Sequence, residues 1–232
     1  STDTEMRMFE DCKLDWAGSP ISTLPIDAIN YLKETEQLKV SPLSGTHLLR
    51  VNTSQEIKGS PSILSFPEFR KALAYSIDRS AIAEHLLQGG QVPARSLVPP
   101  EMGIYGDGYF SEQNPDFAQF LLEAALEKME ISKDALLPIT LSFIASDSNL
   151  AIAQAIQKQW QTALHIPVQL EAVESKVFYQ RIKQRDYQVA IGSWIADFND
   201  PVNFLEVFKY KQSSTNNTFW ENAKYVELLD RS

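Results

Sequence analysis

Between Ile139 and Ser193 the hydrophobic period of this 232-residue chain switches repeatedly from two to about three and a half and back, and that alternation limits the possible folds severely. Ile139, Leu141 and Phe143 alternate as a strand. Asp147 or Ser148 can cap a helix carrying Leu150, Ala153, Ile156, Trp160 and Leu164, and Val168, Leu170 and Ala172 alternate again. Phe178 and Ile182 mark another helix, and Tyr187 to Ser193 a third strand. A parallel return to the same sheet needs a crossover that a helix supplies, so the pattern predicts a parallel α/β layer. Such sheets carry ligand sites just beyond the C-terminal ends of their strands. Those ends lead into Ser146-Asp147, Glu174-Ser175 and the run Ser193-Trp194-Ile195-Ala196-Asp197.

The flanking sequence is less regular. Met6, Met8 and Phe9 suggest a short helix, Pro25 to Leu32 a second with Pro in its first turn, and Thr46 to Asn52 a strand. Residues 53 to 67 gather Ser54, Gly59, Ser60, Pro61, Ser62 and Ser65, a composition suited to a connection between units. Beyond it Phe69, Ala72, Leu73 and Ile77 share a helical face, and a second short helix stops at Gly89-Gly90. Asn114-Pro115 opens a helix on which Phe117, Phe120, Leu121, Ala124 and Ala125 recur at three and four, and Glu227 to Leu229 lie in a last one. Cys12 is the single cysteine; it excludes an internal disulfide and reads as a small buried hydrophobe. No apolar stretch approaches the roughly 18 residues that span a bilayer. A formal charge of -9 and the absence of a Lys/Arg block argue against nucleic acid, whose binding rests on neutralising phosphates. With no initiator Met at Ser1, the chain is expected to be a piece of something longer.

Residues that could carry chemistry are few. His47, His85 and His165 are scattered, without the spacing of a metal site, and read as ordinary polar or half-buried histidines. There is no GxSxG elbow, Walker A loop or GxGxxG, so nucleophilic hydrolysis and nucleotide chemistry lack their usual apparatus. Asp197 and Asp200 could form a carboxylate pair for acid/base work, but Asp200 before Pro201 and the apolar Val202, Phe204 and Leu205 is more simply a helix cap. Asp197, beside Trp194 at a strand end, suits a ligand cation: the carboxylate supplies charge and the indole a flat apolar wall. A turn Asp next to a core Trp fits the same residues, and the two readings stay open here.

Several motifs together resemble a family. Arg70-Lys71-Ala72-Leu73-Ala74-Tyr75-Ser76-Ile77-Asp78-Arg79, then Gly90, Pro93-Ala94, Ser96 and Val98-Pro99-Pro100, look like the second-lobe opening of the extracytoplasmic oligopeptide-binding proteins of ABC transporters, solute-binding protein family 5. Asp186-Tyr187 through Asp197-Phe198-Asn199-Asp200-Pro201 is similar to their most distinctive motif, continued by Asn216-Asn217-Thr218 and Trp220-Glu221-Asn222. With Leu14-Asp15 and Gly45-Thr46, the resemblance runs over essentially the whole chain.

The resemblance implies a periplasmic-binding-protein-like α/β fold (type II, cluster C) of two lobes, incomplete in this chain. Residues 1–60 would be part of lobe one plus the hinge connection, and 61–232 lobe two, with a largely parallel sheet flanked by helices. It implies that Asp197 receives a peptide's α-ammonium while Ser193, Trp194 and Ile195 line the peptide backbone and a side-chain pocket. It implies no catalytic residue, no cofactor and no metal. The partners would be a short peptide and the membrane permease of an importer, the protein a monomer, and its place extracytoplasmic, periplasmic or lipid-anchored at the cell surface. Related proteins carry nickel chelates, haem, glutathione or oligosaccharides, and a hydrolase using Asp197 and Asp200 is the alternative from another class. Some members hold the peptide carboxylate with basic residues where this chain has Asn149, Ile182 and Ile191, so the carboxylate is held elsewhere or the preferred length or ligand class differs. The family's Asn-Pro pair near the end appears as Asn222-Ala223, and an Asp that follows it as Val226.

Overall fold

The structure is a computed structural model that describes residues 2–19, 22–103, 108–110 and 112–232. In chain order its elements are α1 (Thr2–Glu10), α2 (Ala28–Glu34), β1 (Gly45–Val51), the hairpin strands β2 (Glu56–Ile57) and β3 (Ser60–Pro61), and α3 (Pro67–Tyr75). Next come α4 (Arg79–Ala81), which runs into a π-helical turn over Ile82–Leu87, and α5 (Pro115–Met129). The alternating layer follows: β4 (Ile139–Ile144), α6 (Asp147–Leu164), β5 (Val168–Val173), α7 (Ser175–Gln184) and β6 (Val189–Ile195). α8 (Val202–Leu205) and α9 (Ala223–Arg231) complete the order.

The chain divides into two compact units, Ser1–Ser41 with Ser80–Pro93, and Pro42–Arg79 with Ala94–Ser232. The first is helical and buries Met6, Ile29, Leu32 and Ala83. Glu5 accepts hydrogen bonds there from the Gly18 amide and the Ser22 hydroxyl. Cys12 corrects its expectation: it is exposed, at a φ of 55° just past the end of α1, because the turn that stops the helix points it outward. Gln88 also takes a left-handed turn, at φ 56°, so the helical run before Gly89-Gly90 ends one residue ahead of the glycines.

The second unit holds a four-stranded sheet in the order β1-β6-β4-β5. β4 pairs parallel with both β5 and β6, as the alternation predicts. β1 adds what local periodicity does not contain: it lies antiparallel along β6 over its full length, Gly45 opposite Ile195 and Val51 opposite Val189, which makes the sheet mixed. At the base of that pairing the buried Asn52 side chain donates to the carbonyls of Arg185 and Tyr187, so the strand is fixed by a polar clamp as well as by its ladder.

Local chemistry explains the helix ends. Asn114 accepts from the Phe117 amide and Pro115 occupies the first turn of α5, where its missing N–H costs nothing. At α6 the cap is Ser146, ahead of the two expected residues; it is still extended, so its hydroxyl lies under the first turn and takes the Asn149 amide. The core is apolar and dense: Trp160, Phe69, Phe143, Leu122 and Leu141 are fully buried, and the Trp160 indole N–H donates to the Leu73 carbonyl at 2.9 Å. α7 sets Phe178 and Ile182 against Val173, Tyr187 and Ala190. Among the described residues no helix is long and apolar enough to cross a membrane.

Candidate functional site

The four residues expected to meet a ligand all sit where β6 ends. Side chains alternate across a strand, so Ser193 and Ile195 share one face and Trp194 takes the other. Ser193 is exposed, and Ile195, 54% exposed, packs its Cγ1 over Gly45 on the neighbouring strand. Trp194 is half-buried, its ring against a cluster of Val98, Met102 and Phe204 joined by Leu97, Ala196 and Leu205. The ladder continues one bond past β6, from the Ala196 amide to the Ser44 carbonyl, and the chain then turns outward at Asp197.

That turn is held by a residue the sequence reading passed over. Asn203, buried on α8, accepts with its Oδ1 both the Trp194 indole N–H at 3.0 Å and the Asp197 backbone N–H at 3.2 Å. One acceptor therefore fixes the aromatic wall and the acidic residue relative to each other. A lone amide inside the apolar run Val202 to Leu205 was the available clue. The Asp197 carboxylate is exposed, and among the described residues none hydrogen-bonds or ion-pairs with it. Asp200 differs: its Oδ1 takes the Val202 amide at 2.8 Å and its carbonyl the Asn203 amide, so it braces the turn into α8 from one residue ahead of Pro201, which holds the cap position. The two acids are thus placed differently, one turned to helix formation and one left open to solvent.

Other quoted motif residues are scaffold. Asn216 is fully buried and donates to the carbonyls of Tyr210 and Trp220 while accepting from the Thr218 amide and hydroxyl. Asn222 caps α9 by accepting from the Tyr225 amide, and it does so with Ala223 rather than Pro in the first turn. Of the positions where basic anchors were sought, Ile182 and Ile191 are buried and Asn149 spends its amide on the Ile144 carbonyl. Two surface hollows of about 600 and 470 Å³ are lined by other residues, and none of the four strand-end residues lies in them. Among the described residues no group of three or more His, Cys, Asp and Glu could hold a metal ion.

Residues 2–216 match the family model for the middle part of bacterial extracellular solute-binding proteins, family 5. The chain is 38% identical over its whole length to an oligopeptide-binding protein (OppA) of Bacillus subtilis, and 27% identical over 99% of its length to a dipeptide-binding protein (DppE) of the same organism. It spans 42% and 41% of those two proteins. Among solved structures it superposes on the pheromone receptor PrgZ, described with its mode of peptide binding, with a TM-score of 0.86 and 25% identity over 99% of the chain. An oligopeptide-binding protein of Borrelia burgdorferi gives a TM-score of 0.83 with 26% identity over the whole chain. In each case the chain accounts for 44% of the solved structure.

Proposed function

Because the chain belongs to the bacterial extracellular solute-binding proteins of family 5, we propose that the protein is the binding component of a peptide importer. It captures a short peptide between two lobes and hands it, without chemical change, to a membrane permease. In this reading residues 1–60 contribute to lobe one and the hinge, 61–232 form lobe two, and the protein works as a monomer outside the cytoplasm, periplasmic or lipid-anchored. Asp197 receives the peptide's α-ammonium, Trp194 supplies a wall beside it, and Ser193 and Ile195 border the peptide backbone.

The observation that carries the reading is the Asp197 carboxylate, exposed and without a partner among the described residues beyond a parallel strand end, while buried Asn203 holds its backbone and the Trp194 indole in place. A carboxylate left open beside a fixed indole is matched to an ammonium group. The test is calorimetry on the protein at its natural length, with free-amine and N-acetylated forms of one tri- to pentapeptide library. Asp197→Asn should weaken the free-amine peptides by about 2–5 kcal/mol, roughly 30-fold or more, and the acetylated ones little. Equal loss for both removes Asp197 from the role. Cleavage of peptide on incubation would replace the binding function with hydrolysis.

A further inference from the structure

Arg50 is a half-buried cation that the fold leaves largely unused. It stands on β1 opposite Ala190, on the face of the sheet that carries Gly192 and Trp194. Its guanidinium reaches along β6 toward the strand end, where one nitrogen donates to the Ser193 carbonyl at 3.2 Å. A Cβ on residue 192 would lie 2.9 Å from Arg50 Nε, so glycine at that position leaves the space the guanidinium occupies.

Other half-buried arginines are consumed by the scaffold. Arg70 donates to the carbonyls of Leu64 and Ser65, and Arg79 to those of Ala74 and Ile77 while lying over the Phe110 ring. Arg185 donates to the Lys211 carbonyl and stacks on Phe219, although its Nε is buried without a hydrogen-bond partner among the described residues. Among the described residues Arg50 uses one of its five possible donors in a hydrogen bond, and no carboxylate pairs with it. Its ionisable neighbours are the phenols of Tyr187 and Tyr179; the first donates to the Asn217 carbonyl and the second is 57% exposed on α7. Burial pulls the Arg50 pKa below its ordinary value, as expected of a charge partly removed from water.

Resting on the peptide-capture reading above, we propose that Arg50 receives a carboxylate of the bound peptide, either its C-terminal carboxylate or an acidic side chain. The planar fork of guanidinium donors matches a carboxylate's two oxygens. The Ser193 carbonyl holds the fork at the end of β6, and Arg50 stands four residues along β1 from Thr46, the partner of Trp194, on the same strand pair as the ammonium site. An open carboxylate at Asp197 and an open guanidinium at Arg50 give the strand end complementary charges for a zwitterionic ligand.

Calorimetry on the protein at its natural length tests this with three tri- to pentapeptide libraries: one free of Asp and Glu, the same library C-terminally amidated, and an amidated library with Glu at one position. The wild type should bind the first, the third or both at least about tenfold more tightly than the second. Arg50→Gln should remove that preference, with a loss of roughly 30-fold or more for the preferred library, and Arg50→Lys should retain part of it. A preference for the first library identifies the C-terminus, and one for the third an acidic side chain. Wild-type binding of all three libraries alike overturns the inference without recourse to a variant, and leaves peptide capture standing. An equal loss across the libraries in Arg50→Gln overturns it too, by making Arg50 a structural residue. If the wild type binds none of the libraries, the peptide-capture reading falls and this inference with it.

Discussion

At the scale of single residues the strand end depends on Asn203. Its Oδ1 serves two donors that belong to the residues expected to meet ligand, so its removal orphans both the Trp194 indole N–H and the Asp197 amide. Leaving buried donors unsatisfied costs more than deleting a donor together with its acceptor's task. Asn203→Ala should therefore destabilise the protein by about 1–3 kcal/mol in urea unfolding, and more than Trp194→Phe costs in hydrogen bonding alone. Peptide affinity should fall as well, because the Asp197 carboxylate then loses its fixed position. An unchanged unfolding midpoint and unchanged affinity in Asn203→Ala would show that the two bonds hold nothing in place.

At the scale of elements, a chain of charges ties the hairpin β2–β3 to the sheet and to α7. Lys58 reaches Asp186 at 3.0 Å, Asp186 reaches Arg181 at 3.4 Å, and Arg181 reaches Glu171 on β5 at 2.8 Å. Ser142 on β4 adds a hydrogen bond to the second oxygen of Glu171. The hydrogen bond from Lys58 holds the Asp186 carboxyl below its ordinary value of 3.8, against the opposing effect of burial. For Glu171 burial acts to raise the pKa, but the hydrogen bonds from Arg181 and Ser142 outweigh it and bring the carboxyl below 4.5. A carboxylate whose folded pKa is depressed contributes stability above its unfolded pKa and loses it as pH falls through the folded value. The network's share should thus be intact near neutral pH, begin to fall as the pH drops below the ordinary values of 4.5 and 3.8, and be gone once the pH has passed the lower folded values. These pairs are partly exposed, so the share is small, of the order of 1 kcal/mol in total. Arg181→Met should lower the unfolding free energy from urea titration at pH 7 by that amount and flatten the acid limb of the stability curve. A variant whose acid limb runs parallel to the wild type would remove the network from the account.

At the scale of the whole molecule, the chain spans less than half of the two curated relatives and the two solved structures named above, and the proposed site faces solvent within it. The α/β layer and the helices α3, α5 and α6 pack a core within one unit, so residues 2–232 produced alone should fold. Binding by that segment should be poor. An exposed ion pair is typically worth only ~0–1 kcal/mol, and the water exclusion that strengthens charged contacts requires a second wall. Affinity for a mixed peptide library is expected to be no better than about millimolar, against far tighter binding at natural length. Calorimetry on both proteins decides it; micromolar binding by the segment would mean that the second unit forms the whole site and that two-lobed capture is wrong.

The sequence by itself determined the order β4-α6-β5-α7-β6, the start of α5, and the strand end that leads into Trp194 and Asp197. These follow from hydrophobic period, caps and motifs, all of which are set within a few residues of one another. Tertiary structure alone decided that β1 lies antiparallel on β6, because a register between residues 45–51 and 189–195 depends on which edge is free, and local sequence does not encode that. It decided that Asn203 is the acceptor behind both expected ligand residues, that Asn216 and Thr218 satisfy each other inside the scaffold, and that Arg50 stretches over Gly192 with no carboxylate paired to it among the described residues. Each of those outcomes is a matter of which polar group finds a partner across a long sequence separation, and a buried polar group takes whichever partner the packed fold brings within hydrogen-bond reach.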